Sequence, residues 1–143
     1  MNPDTSTDPV RLFLIGVNES LCRSLARYLA SNPSIALVGE TSSVALAGLL
    51  LPAMQPHVVL LDWMTLQRAA GSAVQALRRG NPDLRIICLA RDREAYRAAA
   101  TRAGADAMVS DEGLDWELEP VLHGFFPNRV HLLDGGALAT KPG

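Results

Sequence analysis

Gln55-Pro56-His57-Val58-Val59-Leu60-Leu61-Asp62 decides the fold. Pro56 closes whatever precedes it, an unbroken apolar run follows, and a single carboxylate ends the run. Consecutive apolar residues suit a strand buried on both faces, as in a parallel sheet covered by helices. In such sheets ligands gather beyond the carboxyl ends of the strands, so Asp62 is expected at the mouth of a site.

Working outward, residues 10–17 read as another buried strand carrying one charge. Ser20 is placed to cap a helix reaching about residue 31, with Leu21, Leu25, Tyr28 and Leu29 at helical spacing, and Asn32-Pro33-Ser34 breaks it. Residues 35–39 read as a second strand. Ser42 or Ser43 opens an unusually apolar helix over 44–54. After the strand 58–62 comes a looser stretch, then a helix over 71–79 closed by Gly80-Asn81-Pro82. Residues 84–89 form a fourth strand. Asp92 caps an alanine-rich helix that Gly104 stops, and 105–110 form a fifth strand. A last helix covers about 114–126, limited or kinked by Pro120 unless that proline lies in its first turn. Five β-α units in strict alternation predict a flavodoxin-like, doubly wound α/β fold: (βα)5 around a five-stranded parallel sheet in the order 2-1-3-4-5. Strands one and three flank the point where that order reverses, so Gly16, Val17 and Asp62 should frame the site.

With 143 residues, 48% of them hydrophobic, the chain can bury a core of one ordinary domain. Residues 1–9 are expected to be a disordered N-terminal arm, 10–126 the domain, and 127–143 a tail or linker. At the end of the domain and into that tail, Phe125, Phe126, Val130, Leu132 and Leu133 are too apolar for a free linker. Cys22 and Cys88 lie in apolar stretches and read as small hydrophobes of a reducing compartment. His57, His123 and His131 lack metal-ligand spacing, and no Walker-type glycine loop or Ser/His/Asp arrangement can be drawn. A net charge of −2 gives no general attraction for nucleic acid. No apolar run approaches the ~18 residues of a membrane span, and residues 1–8 lack the basic and apolar regions of a secretory signal. A cytoplasmic protein touching neither membrane nor DNA directly is expected.

Several stretches together resemble the receiver domain of two-component response regulators, over residues 10 to about 122. They are Val10-Arg11-Leu12-Phe13-Leu14-Ile15, Asn32-Pro33-Ser34-Ile35-Ala36-Leu37-Val38-Gly39-Glu40, the run from Gln55 to Asp62, Asn81 to Leu89, and Ala103-Gly104-Ala105-Asp106-Ala107. The flavour is that of receivers preceding a helix-turn-helix effector, a domain expected to be absent from this chain. The resemblance implies that Asp62 occupies the position that accepts a phosphoryl group from a kinase histidine, aided by Mg²⁺ held on carboxylates and waters.

The same resemblance exposes departures. The family's acidic pair after strand one falls on Gly16 and Val17, which offer no side-chain oxygen. Glu19 could reach inward only from an altered loop. The hydroxyl position at the end of strand four is Ala90, the lysine position after strand five is Asp111, and the aromatic switch position is Met108. A phosphoaspartate carries a charge near −2, and like charges ~4 Å apart repel by several kcal/mol even at an effective dielectric of ~20. The chain is therefore expected to be an atypical, degenerate receiver: a non-enzymatic module with no catalytic residue and no Mg²⁺, acting through protein contacts and independently of phosphorylation. Two alternatives stand beside this: a working phospho-acceptor with a rebuilt metal site, and a small-ligand sensor using the same pocket. Trp63 and Met64 either plug the vacated site or pack ordinarily in the loop. Arg93 and Arg97 on one helix, and Asp115 and Glu119 on the next, either form a homodimer face or lie on a solvated surface. A histidine kinase or another signalling protein is the further partner implied.

Overall fold

The computed structural model describes residues 8–16 and 18–130. The expected structure of residues 1–7, Val17 and 131–143 lies outside the described residues. Strands β1 (Val10–Ile15), β2 (Ile35–Thr41), β3 (Val58–Asp62), β4 (Arg85–Ala90) and β5 (Ala107–Ser110) form one parallel sheet. Its order is β2-β1-β3-β4-β5, as the alternation predicts. The helices are α1 (Glu19–Ala30), α2 (Val44–Met54), α3 (Trp63–Leu66), α4 (Ala70–Gly80), α5 (Arg93–Ala103) and α6 (Leu114–Phe125).

Side chains alternate across the sheet and divide the core in two. Leu12, Leu14, Val58, Leu60 and Leu89 pack with Leu21 and Leu25 of α1 and Leu114, Leu118 and Leu122 of α6. Phe13, Ile15, Val59 and Leu61 pack on the other face with α2, α4 and α5. All five residues of β3 are buried, so this strand is the keel of both cores. The edge strand β2 slips against β1: Leu12 faces Leu37 but Phe13 faces Gly39, leaving Val38 as a bulge. Gly39 is required there, because a Cβ would stand 2.7 Å from the Phe13 ring.

Several boundaries differ from the sequence reading for local reasons. Asn18, not Ser20, caps α1, its Oδ1 accepting the Leu21 N–H at 3.1 Å. Strand β1 ends at Ile15 because Gly16 turns the chain with φ +87°. No loose stretch separates β3 from a helix, since α3 starts at Trp63. Helix α6 runs through Pro120 to Phe125, held by Leu118 and Leu122, which are fully buried on either side of that proline. The beginning of the tail is docked: Val130 is buried, and its carbonyl accepts from His123 Nδ1 at 2.5 Å.

Candidate functional site at the mouth of the sheet

Asp62 ends β3 and at once caps α3. Its Oδ1 accepts the Met64 N–H at 3.2 Å, and its Oδ2 accepts from Thr65 Oγ1 at 2.5 Å. A four-residue helix cannot stand on propensity, so this side-chain cap holds much of its single turn. Both carboxylate oxygens are thus turned onto donors two and three residues away, and Asp62 is only 5% exposed. Gly16 presses on it from the end of β1. A Cβ at Gly16 would stand 3.1 Å from Asp62 Cβ and 3.2 Å from its carbonyl oxygen. With φ at +87°, any L-residue at position 16 is both strained and crowded. The position that would carry an acidic metal ligand therefore belongs to glycine for backbone reasons. Val17, its expected companion, lies outside the described residues.

Beside Asp62 opens a cleft of about 340 Å³. Its walls come from the start of α1 (Asn18, Ser20, Leu21, Ser24), from Arg91 after β4, and from Asp111 and Glu112 after β5. Three carboxylates and one guanidinium line it. The Asp111 N–H bonds the Ala90 carbonyl at 3.1 Å, and its buried Oδ1 has no hydrogen-bond partner. Ala90 is fully buried and brings no hydroxyl, and Met108 is buried in the sheet opposite Cys88. Glu19 points away from the cleft, pairing at 3.0 Å with Arg23 on the exposed side of α1.

Trp63 and Met64 do not plug the cleft. The turn out of β3 sends Trp63 to the opposite face, where it packs in the α2–α4–α5 core with its ring centroid 6.4 Å from that of Tyr96. Met64 is 36% exposed. Of the charged residues after β5, Glu117 is engaged within the chain. Glu117 pairs with Arg93 at 2.7 Å, accepts the Ser110 N–H at 3.1 Å and meets the Ser110 hydroxyl. Arg97 is exposed and pairs with Glu94 at 2.9 Å. Glu119, expected on an interface, is instead largely buried beside Leu118, with Oε1 unpartnered. The side chain of Asp115 lies outside the described residues.

Mg²⁺ of the kind a receiver uses needs several oxygen ligands. Gly16 supplies none, and the Asp62 oxygens already face an O–H and an N–H donor. Among the described residues no group of three or more His, Cys, Asp or Glu is placed to hold a metal ion. The described residues of the site do not fit the ion. Sequence reasoning missed Thr65, Asn18 and Arg91. Thr65 was legible as the hydroxyl of an Asp-x-x-Thr capping pattern; Arg91 owes its place to the turn after β4.

No known family model matches the chain. Over 83 residues it is 34% identical to the DNA-binding transcriptional activator DevR/DosR of Mycobacterium tuberculosis. That match spans 56% of this chain and 37% of the relative's length. Among solved structures, a LuxR-family two-component response regulator from Aurantimonas sp. SI85-9A1 superposes with a TM-score of 0.73 at 20% identity, covering 91% of this chain and 94% of that one. The isolated receiver (REC) domain of RcsB from Salmonella enterica serovar Typhimurium, in its apo form, gives 0.73 at 16% identity, covering 90% and 96%. The fold is that of a response-regulator receiver domain. The signal receiver domain of NarL from Mycobacterium tuberculosis agrees, with a TM-score of 0.72 at 23% identity over 85% of this chain and 99% of that one. In this receiver fold no helix among the described residues is long and apolar enough to cross a membrane.

Proposed function

We propose that this chain is a two-component receiver that signals from the cytoplasm through protein contacts, self-association among them, without phosphorylation and without Mg²⁺. The observation that carries the reading is the closure of Asp62: one oxygen on Met64 N–H, the other on Thr65 Oγ1, and Gly16 against its Cβ. A phosphoryl group on either oxygen would displace the donor held there. It would also bring ~2 negative charges into a cleft already lined by Asp111 and Glu112, with Arg91 as the cation among the lining residues. A histidine kinase would then be a docking partner and not a phosphoryl donor. DNA binding, which the name of DevR/DosR states for that protein, is not assigned to this chain, which matches 37% of the relative.

The test is incubation with acetyl phosphate and Mg²⁺, read by intact mass, with a beryllofluoride titration read by amide spectra. No mass gain and no spectral shift are expected. A phosphoryl mass gain in the wild type that disappears in Asp62→Asn would overturn the reading. A second reading is favoured by the orphaned Asp111 Oδ1 in an acidic cleft: a small cationic ligand. A polyamine panel that raised Tm in the wild type and not in Asp111→Asn would support it.

A further inference from the structure

The longest uncharged part of the chain, residues 41–61, runs from Thr41 to Leu61 with no Asp, Glu, Lys or Arg. Helix α2 lies within it. Its sequence, VALAGLLLPAM, is apolar on every side. A helix of that kind is ordinarily buried all round, yet here only Ala47 and Leu51 are buried, against the core. Leu49 is 76% exposed, Leu46 44% and Met54 36%. With the exposed Ala45, Pro52 and Ala53 they form an apolar face on the order of 400 Å², in the range of the largest patch on a typical monomer, which is often functional.

Next to these projecting leucines is a hollow. A groove of about 220 Å³ runs between α2 and α4, lined by Val44, Gly48, Pro52, Ala76 and Gly80 among others. A Cβ added at Gly48 or Gly80 would meet nothing within 4 Å, so the groove is open on that side. Projection and hollow lie side by side on one surface. Such a surface is self-complementary under a two-fold rotation, which places Leu49 of each copy in the groove of the other.

We propose that α2 is the self-association surface of this protein and that its occupant is a second copy of the same chain, packed antiparallel about a two-fold axis. The inference rests on the self-association named above and gives it a place. The lack of charge argues for the occupant. Helix α2 has no Lys or Arg and so adds no electrostatic attraction for an anionic membrane, and without charges it cannot select a charged partner. The rival face across α5 and α6 has its charges tied within the chain: Arg93 to Glu117 and Arg97 to Glu94, with Glu119 buried. The area sets the strength. Two such faces bury ~800 Å² in total, below the ~1,200 Å² of stable complexes, so the dimer is weak and concentration-dependent.

The experiment is sedimentation velocity on the chain from ~10 µM to ~1 mM, in low and high salt. The expected result is a rising sedimentation coefficient with concentration, insensitive to salt. It should be abolished in Leu49→Glu, whose circular dichroism is unchanged because Leu49 is exposed, and kept in Arg97→Glu. In a background of Cys22→Ser and Cys88→Ala, a chain carrying Leu49→Cys mixed with one carrying Ala76→Cys should form a mixed disulfide, as Leu49 seated in the partner's groove requires. A chain that is monomeric throughout, or a dimer that survives Leu49→Glu and is lost in Arg97→Glu, overturns the proposal. A folded wild type that captures a different protein through α2 but never itself also overturns it. Phosphorylation of Asp62 is read separately by mass, so either idea can fail alone.

Discussion

His57 and Asp62 stand at opposite ends of β3, and the two ends are built differently. At the amino end the contacts are long-range. The Arg11 N–H donates to His57 Nδ1 at 2.9 Å across 46 positions, and Arg129 lies 3.0 Å from His57 Nε2 across 72. The His57 ring meets Phe126 edge-on at 5.9 Å, and the Arg85 guanidinium sits 5.0 Å over Phe125. Nearby, Arg78 of α4 donates to the carbonyls of Pro82, Leu84 and Gly104 and pairs with Asp106 at 2.6 Å. Asp106 in turn accepts the Ile86 N–H at 2.8 Å. At the carboxyl end Asp62 bonds only to residues two and three places on, and Asp111 leaves a buried oxygen unpartnered. Asp62 itself makes only local side-chain bonds, whereas the cross-links that span 46 and 72 positions lie at the other end.

The largest effect should come from the amino end. Arg78→Ala removes a forked donor from three carbonyls and one carboxylate, and of these the Leu84 carbonyl belongs to a buried residue and the Gly104 carbonyl to a half-buried one. We expect a loss of about 3 kcal/mol by urea denaturation, and Arg78→Lys should recover only part of it because an ammonium cannot make the fork. A loss below about 1 kcal/mol would mean that the two ends carry equal weight.

Gly16→Asp tests the carboxyl end in the opposite sense, by restoring an acid where the resemblance asks for one. The positive φ and the 3.1 Å approach to Asp62 Cβ predict a loss of about 2 kcal/mol from strain and crowding. Mg²⁺ should recover none of it. A variant that Mg²⁺ stabilises would show that the mouth of the sheet can still be rebuilt as a metal site.

These expectations also show what was readable. The run from His57 to Asp62 declared a buried parallel strand, and the β-α alternation around it determined the strand order, because side-chain periodicity is written in the sequence. Gly16 was legible as a missing ligand but not as a backbone requirement, since φ is not. Helix α3 was too short for any periodicity to show. Arg78 went unnoticed because most of its partners are backbone carbonyls, which leave no trace in residue type. The apolar character of α2 was plain, but its exposure depends on what packs beside it. Glu119 was placed on a dimer face or a solvated surface through the family resemblance, and the phase of α6 turns it inward.

Smaller effects come from the Asp62 cap itself. Asp62→Ala should cost about 1 kcal/mol, the value of a helix cap. Thr65→Val should cost a similar amount or less. The double variant should fall short of the sum, because the two share one hydrogen bond. Strict additivity would separate Thr65 from Asp62 and leave the aspartate free for other chemistry.

The smallest effect is a proton at the amino end. Burial, then the charges of Arg11 and Arg129, hold the His57 pKa below its ordinary 6.5. The unfolded chain therefore binds the proton more readily, and between the lowered folded value and 6.5 stability rises with pH. The contribution is complete above pH 6.5 and is lost as pH falls through the folded value. A protonated ring can no longer accept from Arg11 and repels Arg129, so the turn leading to Val130 should be the first part to loosen. Amide exchange at Arg129 and Val130, whose N–H groups bond the Phe126 carbonyl, should accelerate on acidification ahead of exchange in the sheet. His57→Gln removes the titration. Its stability, subtracted from that of the wild type, isolates the histidine from the carboxylates, which titrate lower. If wild type and His57→Gln lose stability in parallel as pH drops below 6.5, the proton is taken up elsewhere and the amino end is held by packing alone.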